Sequence, residues 1–205
     1  MDVDRAQIAR IVEEVVRRCT AGATLPAPPP SRASVGASPP DPRPGVFSTL
    51  DEAVAAARKA QQRWMELPLE KRAVCVRAMR ETAQENARAM AELACAETGM
   101  GRVEDKYQKN LVAIHKTPGL EDIEPTVYTG DHGLTLMERA PFGVIGAITP
   151  TTNPVASIIH NSISMVCAGN AVVFNPHPRA KGCCLKMMVL LNGAIARSGG
   201  PETLL

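Results

Sequence analysis

The chain has 205 residues, with 23 Lys and Arg against 21 Asp and Glu, a net charge of +2, and 45% hydrophobic residues. That length holds one domain, and a second only in part, at roughly 100–200 residues per domain. Acids and bases are interleaved without a Lys/Arg run, so a nucleic-acid footprint is excluded, and no apolar run reaches bilayer-spanning length. The N-terminus lacks the apolar core of a signal peptide. The six cysteines include no Cys-x-x-Cys pair. They suit neither a disulfide framework nor a metal site, and they point to a reducing, cytosolic compartment.

From Asp2 to Cys19, Ile8, Ile11, Val12, Val15 and Val16 fall on one face and Arg10, Glu13, Glu14 and Arg17 on the other. This is a short amphipathic helix that needs a partner surface to be stable. The Pro/Ala/Ser-rich residues 21–46, with Pro28-Pro29-Pro30 and Pro39-Pro40, read as a semi-extended linker that builds no core. Thr49 and Glu52 make a capping-box pattern, opening a helix whose expected buried stripe is Leu50, Val54, Ala57 and Trp64. Leu67-Pro68 interrupts it. A longer helix is predicted from Glu70 to Thr98, with Val74, Ala78, Met79, Thr82, Ala83, Met90, Leu93 and Ala94 as its apolar face. Asn86 marks a possible irregularity in it, and Gly99 is the natural C-cap. Arg102 to Lys116 is a further helix, and Cys75 and Cys95 are packing residues. Val127–Thr129 and Leu134–Met137, around a Gly130–Gly133 turn, read as a hairpin. His115, His132 and His160 have no acid or Cys partner at ligand spacing, so no metal site is expected.

The stretch Met137–Lys181 organises the rest. Val144–Thr149 is a short apolar run entered by Pro141-Phe142-Gly143 and closed by Pro150, the pattern of a strand covered on both faces. Pro154 suits the first turn of a helix that carries Ile158, Ile159, Ser162, Ile163, Val166 and Cys167 inward and stops at Gly169-Asn170. Ala171–Phe174 is the next strand, and Asn175-Pro176-His177-Pro178 a second strand-to-helix turn. Strand, helix, strand, helix implies a parallel sheet. The last helix, Arg179 to Arg197, offers Cys184, Leu185, Met188, Val189, Leu191 and Ile195 for burial, and Glu202–Leu205 should begin another strand.

Two turns in this stretch carry a resemblance. Thr149-Pro150-Thr151-Thr152-Asn153-Pro154, followed by Asn175-Pro176-His177-Pro178-Arg179-Ala180-Lys181, is similar to the coenzyme-A-acylating branch of the aldehyde dehydrogenase superfamily. The resemblance reaches upstream to about Val46 and downstream to the last residue. It implies an α/β fold, the N-terminal portion of an aldehyde dehydrogenase, with a helical opening, a hairpin and the start of a Rossmann-like parallel sheet. Residues 1–20 would then be a targeting helix, 21–46 a linker and 47–205 an incomplete NAD(H)/CoA-binding domain. The helix on its tether resembles the encapsulation peptides of bacterial microcompartment enzymes. A shell protein would be its partner and the bacterial cytoplasm, within the microcompartment lumen, its location. Docking on the chain's own body or on a sister subunit is the alternative.

The chemistry implied is oxidation of a short aliphatic aldehyde such as acetaldehyde or propionaldehyde. A Cys thiolate attacks, hydride passes to NAD and coenzyme A takes the acyl group. The oxyanion formed on the way needs a fixed donor. Asn153 is the candidate for it, while an ungapped match to hydrolytic members puts Thr152 there. An amide offers two N–H donors and a hydroxyl one, which favours Asn153. If neither has that role, Thr151, Thr152 and Asn153 cap the following helix. NAD would lie along Ile148, Thr149, Pro150 and Thr151 and over Asn175, His177 and Pro178, at the carboxyl ends of two strands. No G-x-G-x-x-G occurs, so phosphate binding by the ordinary Rossmann turn is not expected. His177, Arg179 and Lys181 would stand near a helix N-terminus and meet a phosphate of NAD or coenzyme A, a solvated basic turn being the alternative for Arg179 and Lys181. In the family resembled, this hairpin belongs to the arm that mediates subunit association, so the resemblance implies a homo-oligomer for the full-length protein. None of the six cysteines stands in the nucleophile context of the family, so the chain alone is expected to be inactive, a fragment of the enzyme. The rival readings are a non-catalytic microcompartment cargo protein and a semialdehyde dehydrogenase of amino-acid biosynthesis.

Overall fold

The computed structural model describes residues 44–205 together with Glu13. The expected helix over residues 1–20 and nearly all of the linker over 21–46 therefore lie outside the described residues. The architecture is mixed α/β: three helices, a hairpin, and a βαβ unit followed by a last helix.

Helix α1, Leu50–Glu66, opens on the anticipated capping box. Thr49 Oγ1 accepts from the Glu52 amide at 3.3 Å, and Glu52 Oε2 accepts from the Thr49 amide at 3.1 Å. Ala57 and Trp64 are buried as expected, and the Trp64 indole donates to the Val166 carbonyl at 3.0 Å. Leu50 departs from the expected stripe and is 70% exposed. As the first helical residue it precedes the turns that meet the core.

Helix α2, Leu69–Thr98, buries Cys75, Met79, Ala83, Met90 and Ala94. Val74, expected on that face, is 44% exposed, because Cys75 and Val76 take the inward positions and each residue is about 100° from the next. No irregularity occurs at Asn86; its Nδ2 donates to the Thr82 carbonyl at 2.8 Å, within an unbroken helix. Gly99, at φ 66°, is the left-handed C-cap. Helix α3, Val103–Lys116, lies against α2. There Asn110 Nδ2 donates to the Ala87 carbonyl at 3.0 Å, and the Arg88 guanidinium covers the Tyr107 ring at 4.2 Å. Arg80 donates to the carbonyls of Ile114 and Thr117, satisfying the C-terminal end of α3.

Strands β1, Thr126–Gly130, and β2, Gly133–Met137, form the expected hairpin, antiparallel from Thr126↔Met137 to Gly130↔Gly133, with every residue exposed. Strand β3, Val144–Thr149, and β4, Ala171–Pro176, are parallel, with α4, Pro154–Cys167, between them. Asn170 joins the parts: its Oδ1 accepts from the Gly143 amide at 2.9 Å and its Nδ2 donates to the Met165 carbonyl at 3.1 Å. Every inward residue anticipated on α4 is buried. The expectation of a β3 covered on both faces fails at its end. Ala147 and Thr149 are buried, whereas Gly146 and Ile148, pointing the other way, are exposed, Ile148 to 85%. Among the described residues no layer covers that side.

Helix α5, Lys181–Arg197, buries Cys184, Met188, Leu191 and Ile195, with Leu185 and Val189 half-buried. The strand anticipated at Glu202–Leu205 is not formed. Only the Val172 amide pairs there, donating to the Leu204 carbonyl at 2.9 Å, and one such bond is not a ladder. Asn192 holds Leu205 instead, donating to its carbonyl at 2.8 Å and accepting from its amide at 3.1 Å. Among the described residues no helix is long and apolar enough to cross a membrane.

The Glu97-Thr98-Gly99 corner joins α2 to α5. Glu97 accepts from the amides of Gly182 at 2.6 Å and Cys183 at 2.7 Å, and Arg179 Nη2 donates to the Thr98 carbonyl at 3.0 Å. Burial opposes ionisation of Glu97, but the hydrogen bonds from Cys183 and Gly182 outweigh it and hold the carboxyl below the ordinary carboxylate range. A depressed folded-state pKa gives stability that is present above the unfolded value, about 4.3, and is lost as pH falls through the folded one. Glu97→Gln should therefore lower stability by about 1 kcal/mol at pH 7, as loss of a charged helix cap does, with the gap closing below about pH 4. Urea denaturation at pH 7 and pH 3.5 measures both; an equal deficit at the two values would refute the charged cap.

Candidate functional site

The two turns that end β3 and β4 lie side by side because the parallel register pairs Ile148 with Asn175 and Thr149 with Pro176. The His177 amide extends the pairing by donating to the Thr149 carbonyl at 3.1 Å. All the residues expected to meet NAD thus share one rim, at the carboxyl ends of two parallel strands. Pro150, Asn175, His177 and Pro178 are exposed there, beside the exposed Ile148. At Gly146 an added Cβ would meet nothing within 4 Å, so Gly146 and Ile148 offer an open surface on which a ring or ribose can lie. Thr151 Oγ1 is buried with no hydrogen-bond partner among the described residues, an uncommon state for a polar atom. The open rim leaves room for a dinucleotide along Gly146 and Ile148.

The N-terminus of α5 is not open for a phosphate, because Glu97 occupies the amides of Gly182 and Cys183. The Arg179 guanidinium is engaged by Thr98, and His177 Nδ1 accepts from the Arg179 amide at 3.2 Å. Lys181 is exposed.

Asn153 is the N-cap residue of α4, at φ −132° and ψ 57°, yet its side chain makes no capping bond. Its carbonyl accepts from the Ser157 amide at 3.0 Å and from Ser157 Oγ at 2.8 Å. Its Oδ1 accepts from Lys109 Nζ at 3.2 Å, and Nδ2 donates to nothing among the described residues. Thr152 is exposed, and its carbonyl accepts from Lys106 Nζ at 2.8 Å. Lys106 itself is only 6% exposed. The two lysines were not legible as site residues. In sequence they belong to a polar run, Glu104-Asp105-Lys106-Tyr107-Gln108-Lys109, that reads as a solvated face, and nothing local marks Lys106 for burial. Their i,i+3 spacing, which puts both on one face of α3, was the available signal.

Of the described cysteines, Cys75, Cys167, Cys183 and Cys184 are buried and Cys95 is half-buried; Cys19 lies outside the described residues. Burial pushes the Cys167 thiol up to about 12. The neighbouring Cys184 thiol, burial and the Glu97 carboxylate together push Cys183 up, and burial raises Cys75. The Cys183 thiol, and Thr149 with it, hold Cys184 below the ordinary thiol range against the effect of burial, but Cys184 is fully buried, and a nucleophilic cysteine needs an accessible thiolate. Among the described residues no group of His, Cys, Asp and Glu is placed to hold a metal ion.

A parallel strand pair with a crossover helix and polar turns at the strands' carboxyl ends is the arrangement from which nucleotide-binding α/β folds are built. The family model for the aldehyde dehydrogenase family matches residues 45–205, and the chain belongs to that family. Residues of this chain are 52% identical, over 161 positions, to the acetaldehyde dehydrogenase (acetylating) EutE of Salmonella typhimurium, covering 78% of this chain and 34% of that protein. The fold is similar to the propionaldehyde dehydrogenase of the Clostridium phytofermentans fucose utilisation bacterial microcompartment, with a TM-score of 0.76 and 45% identity over 78% of this chain and 37% of that one. It is equally similar to a Rhodopseudomonas palustris propionaldehyde dehydrogenase solved with bound propionyl-CoA, at a TM-score of 0.76 and 49% identity over 78% of this chain and 36% of that one. The chain spans about a third of the length of the curated relatives it matches.

The thiols give a direct test. With its pKa raised to about 12, Cys167 should stay unmodified by iodoacetamide at pH 7.5 in the native protein and react fully in 6 M guanidinium. Peptide mass spectrometry after a native pulse reads this out, and rapid native labelling of Cys167 would contradict the burial.

Proposed function

We propose that this chain supplies part of the dinucleotide rim and the oxyanion donor of a CoA-acylating aldehyde dehydrogenase acting on a short aliphatic aldehyde. The observation that carries the reading is the Asn153 amide at the turn after β3, whose Oδ1 is turned to Lys109 and whose Nδ2 has no partner among the described residues. When bound, NAD supplies a hydride acceptor and coenzyme A an acceptor for the acyl group. The residues of this chain bind and orient. Ile148 and Gly146 provide the open surface, Thr149–Thr151 and Asn175–Pro178 its two edges, and Asn153 Nδ2 a donor for the aldehyde oxygen. That oxygen gains negative charge when a thiolate adds to the carbonyl, so a donor held in place beforehand stabilises the transition state more than the substrate. The thiol this chemistry requires is proposed to lie outside the described cysteines, which are buried or half-buried.

Two surfaces support an assembly around this site. Val127, Tyr128, Leu134 and Leu136 are large apolar residues left exposed by the hairpin, which is the association surface proposed for homo-oligomers. Residues 1–20 are proposed to dock on a microcompartment shell protein through Ile8, Ile11, Val12, Val15 and Val16. A fluorescent protein fused to residues 1–46 should form puncta in cells that make shells, and the Ile11→Asp, Val15→Asp pair should disperse them. Diffuse signal from both would end the targeting reading.

The site is tested in the active enzyme that carries this sequence. Asn153→Ala should lower kcat by about 10²–10³ while the KM for NAD stays within about twofold. Thr152→Ala should cost far less rate. The reverse order would assign the donor to Thr152, and two mild effects with only a lowered Tm would mean that this turn does no more than begin α4.

A further inference from the structure

We propose that Lys109 is a positioning residue: its ammonium fixes the orientation of the Asn153 amide so that Nδ2, and never Oδ1, faces the reacting carbonyl. This rests on the reading of Asn153 as the oxyanion donor.

A primary amide can turn by 180° about its last side-chain bond at little steric cost, and the two orientations have opposite consequences at an oxyanion. One presents N–H donors and the other a repelling oxygen. An N-cap asparagine normally settles the choice by accepting a backbone amide with Oδ1, but Asn153 makes no such bond. The nearest determinant is Lys109 Nζ at 3.2 Å. An ammonium only donates, so the amide meets it with Oδ1 and turns Nδ2 away. A positive charge on Oδ1 also polarises the amide and strengthens Nδ2–H as a donor.

The lysine can dictate this geometry only if its own position and that of the turn are fixed. Lys106, one helical turn before Lys109, holds the adjacent Thr152 carbonyl at 2.8 Å from a nearly buried position, so α3 grips the turn twice. A charge is not buried without cost unless it is hydrogen-bonded, and this bond accounts for Lys106 being where it is. Helix α3 is in turn tied to α2 by the Asn110 bond to the Ala87 carbonyl and the contact of Arg88 with Tyr107. The chain of contacts from the α2–α3 pair to Asn153 Oδ1 is continuous.

The test uses Lys109→Met, Lys109→Arg, Asn153→Ala and the Lys109→Met/Asn153→Ala double variant in the active enzyme that carries this sequence. Lys109 is exposed, so its variants should fold, and a Tm within a few degrees of the parent checks that they do. Lys109→Met should lower kcat by about 10–10² with the KM for NAD unchanged, the scale of loss for a misplaced catalytic group. Lys109→Arg, which keeps the donor, should recover most of that loss. The double variant should be no slower than Asn153→Ala alone, because no amide remains to orient. Independent, multiplicative losses in the double variant would overturn the proposal, as would a Lys109→Met enzyme with full kcat. If Asn153→Ala itself keeps full kcat, the oxyanion reading fails and the positioning role goes with it. A slow Asn153→Ala beside a fast Lys109→Met overturns the positioning role alone.

Discussion

The parallel pairing of β3 with β4 is the constraint on which the site depends. Its register sets Ile148 beside Asn175 and Thr149 beside Pro176, and thereby brings two turns that are more than twenty residues apart in sequence onto one rim. Both strands leave the rim into helices, so the polar residues of the turns stand where the sheet ends and solvent begins. The pairing is held from the opposite end by Asn170, which bonds the entry to β3 and the exit of α4 with one side chain. Helix α4 contributes Ile158, Ile159, Ile163 and Val166 to the core, so the crossover cannot shift without opening a cavity at the centre of the domain.

Around this unit, long cationic and amide side chains bind backbone rather than ligands. Arg80 completes the end of α3, Arg179 the end of α2, and Gln61 reaches the Gly169 carbonyl at 3.0 Å. Each satisfies a carbonyl that a helix end or a turn leaves unpaired. The consequence for function is that a basic residue close to the rim is not thereby a phosphate ligand. Arg179 stands in the second turn, yet its guanidinium is directed at α2. Glu97 makes the same point with opposite charge, since it takes the helix N-terminus that an anion would otherwise use.

Much of this arrangement was legible in the sequence because its signals are local. The Thr49–Glu52 capping box, Gly99 as a C-cap, Pro154 at the start of α4 and the apolar strands between turn residues each follow from a few neighbouring positions. What escaped prediction depends on tertiary placement. Ile148 looks as apolar as Ile145, and it is exposed because among the described residues no layer lies over the far side of β3. Leu50 and Val74 belong to helices correctly placed, but a helical repeat does not say which apolar residue lies past the edge of the core. Likewise the Glu97 cap on α5 spans 85 and 86 residues in sequence, and no pattern within either helix announces it. Lys106 and Lys109 were hidden in the same way, since a lysine that grips a turn 44 or 46 residues away has the same neighbours as one in solvent.

Trp64 gives the fold an optical property. It is the chain's one tryptophan, fully buried, with its indole N–H on the Val166 carbonyl at the last turn of α4. Emission excited at the indole band therefore originates at a single contact, where the first described helix meets the crossover of the βαβ unit. A spectrum centred at short wavelength signals that α1 is seated on α4, and a shift to longer wavelength signals that water has entered between them, before any other part of the domain needs to move.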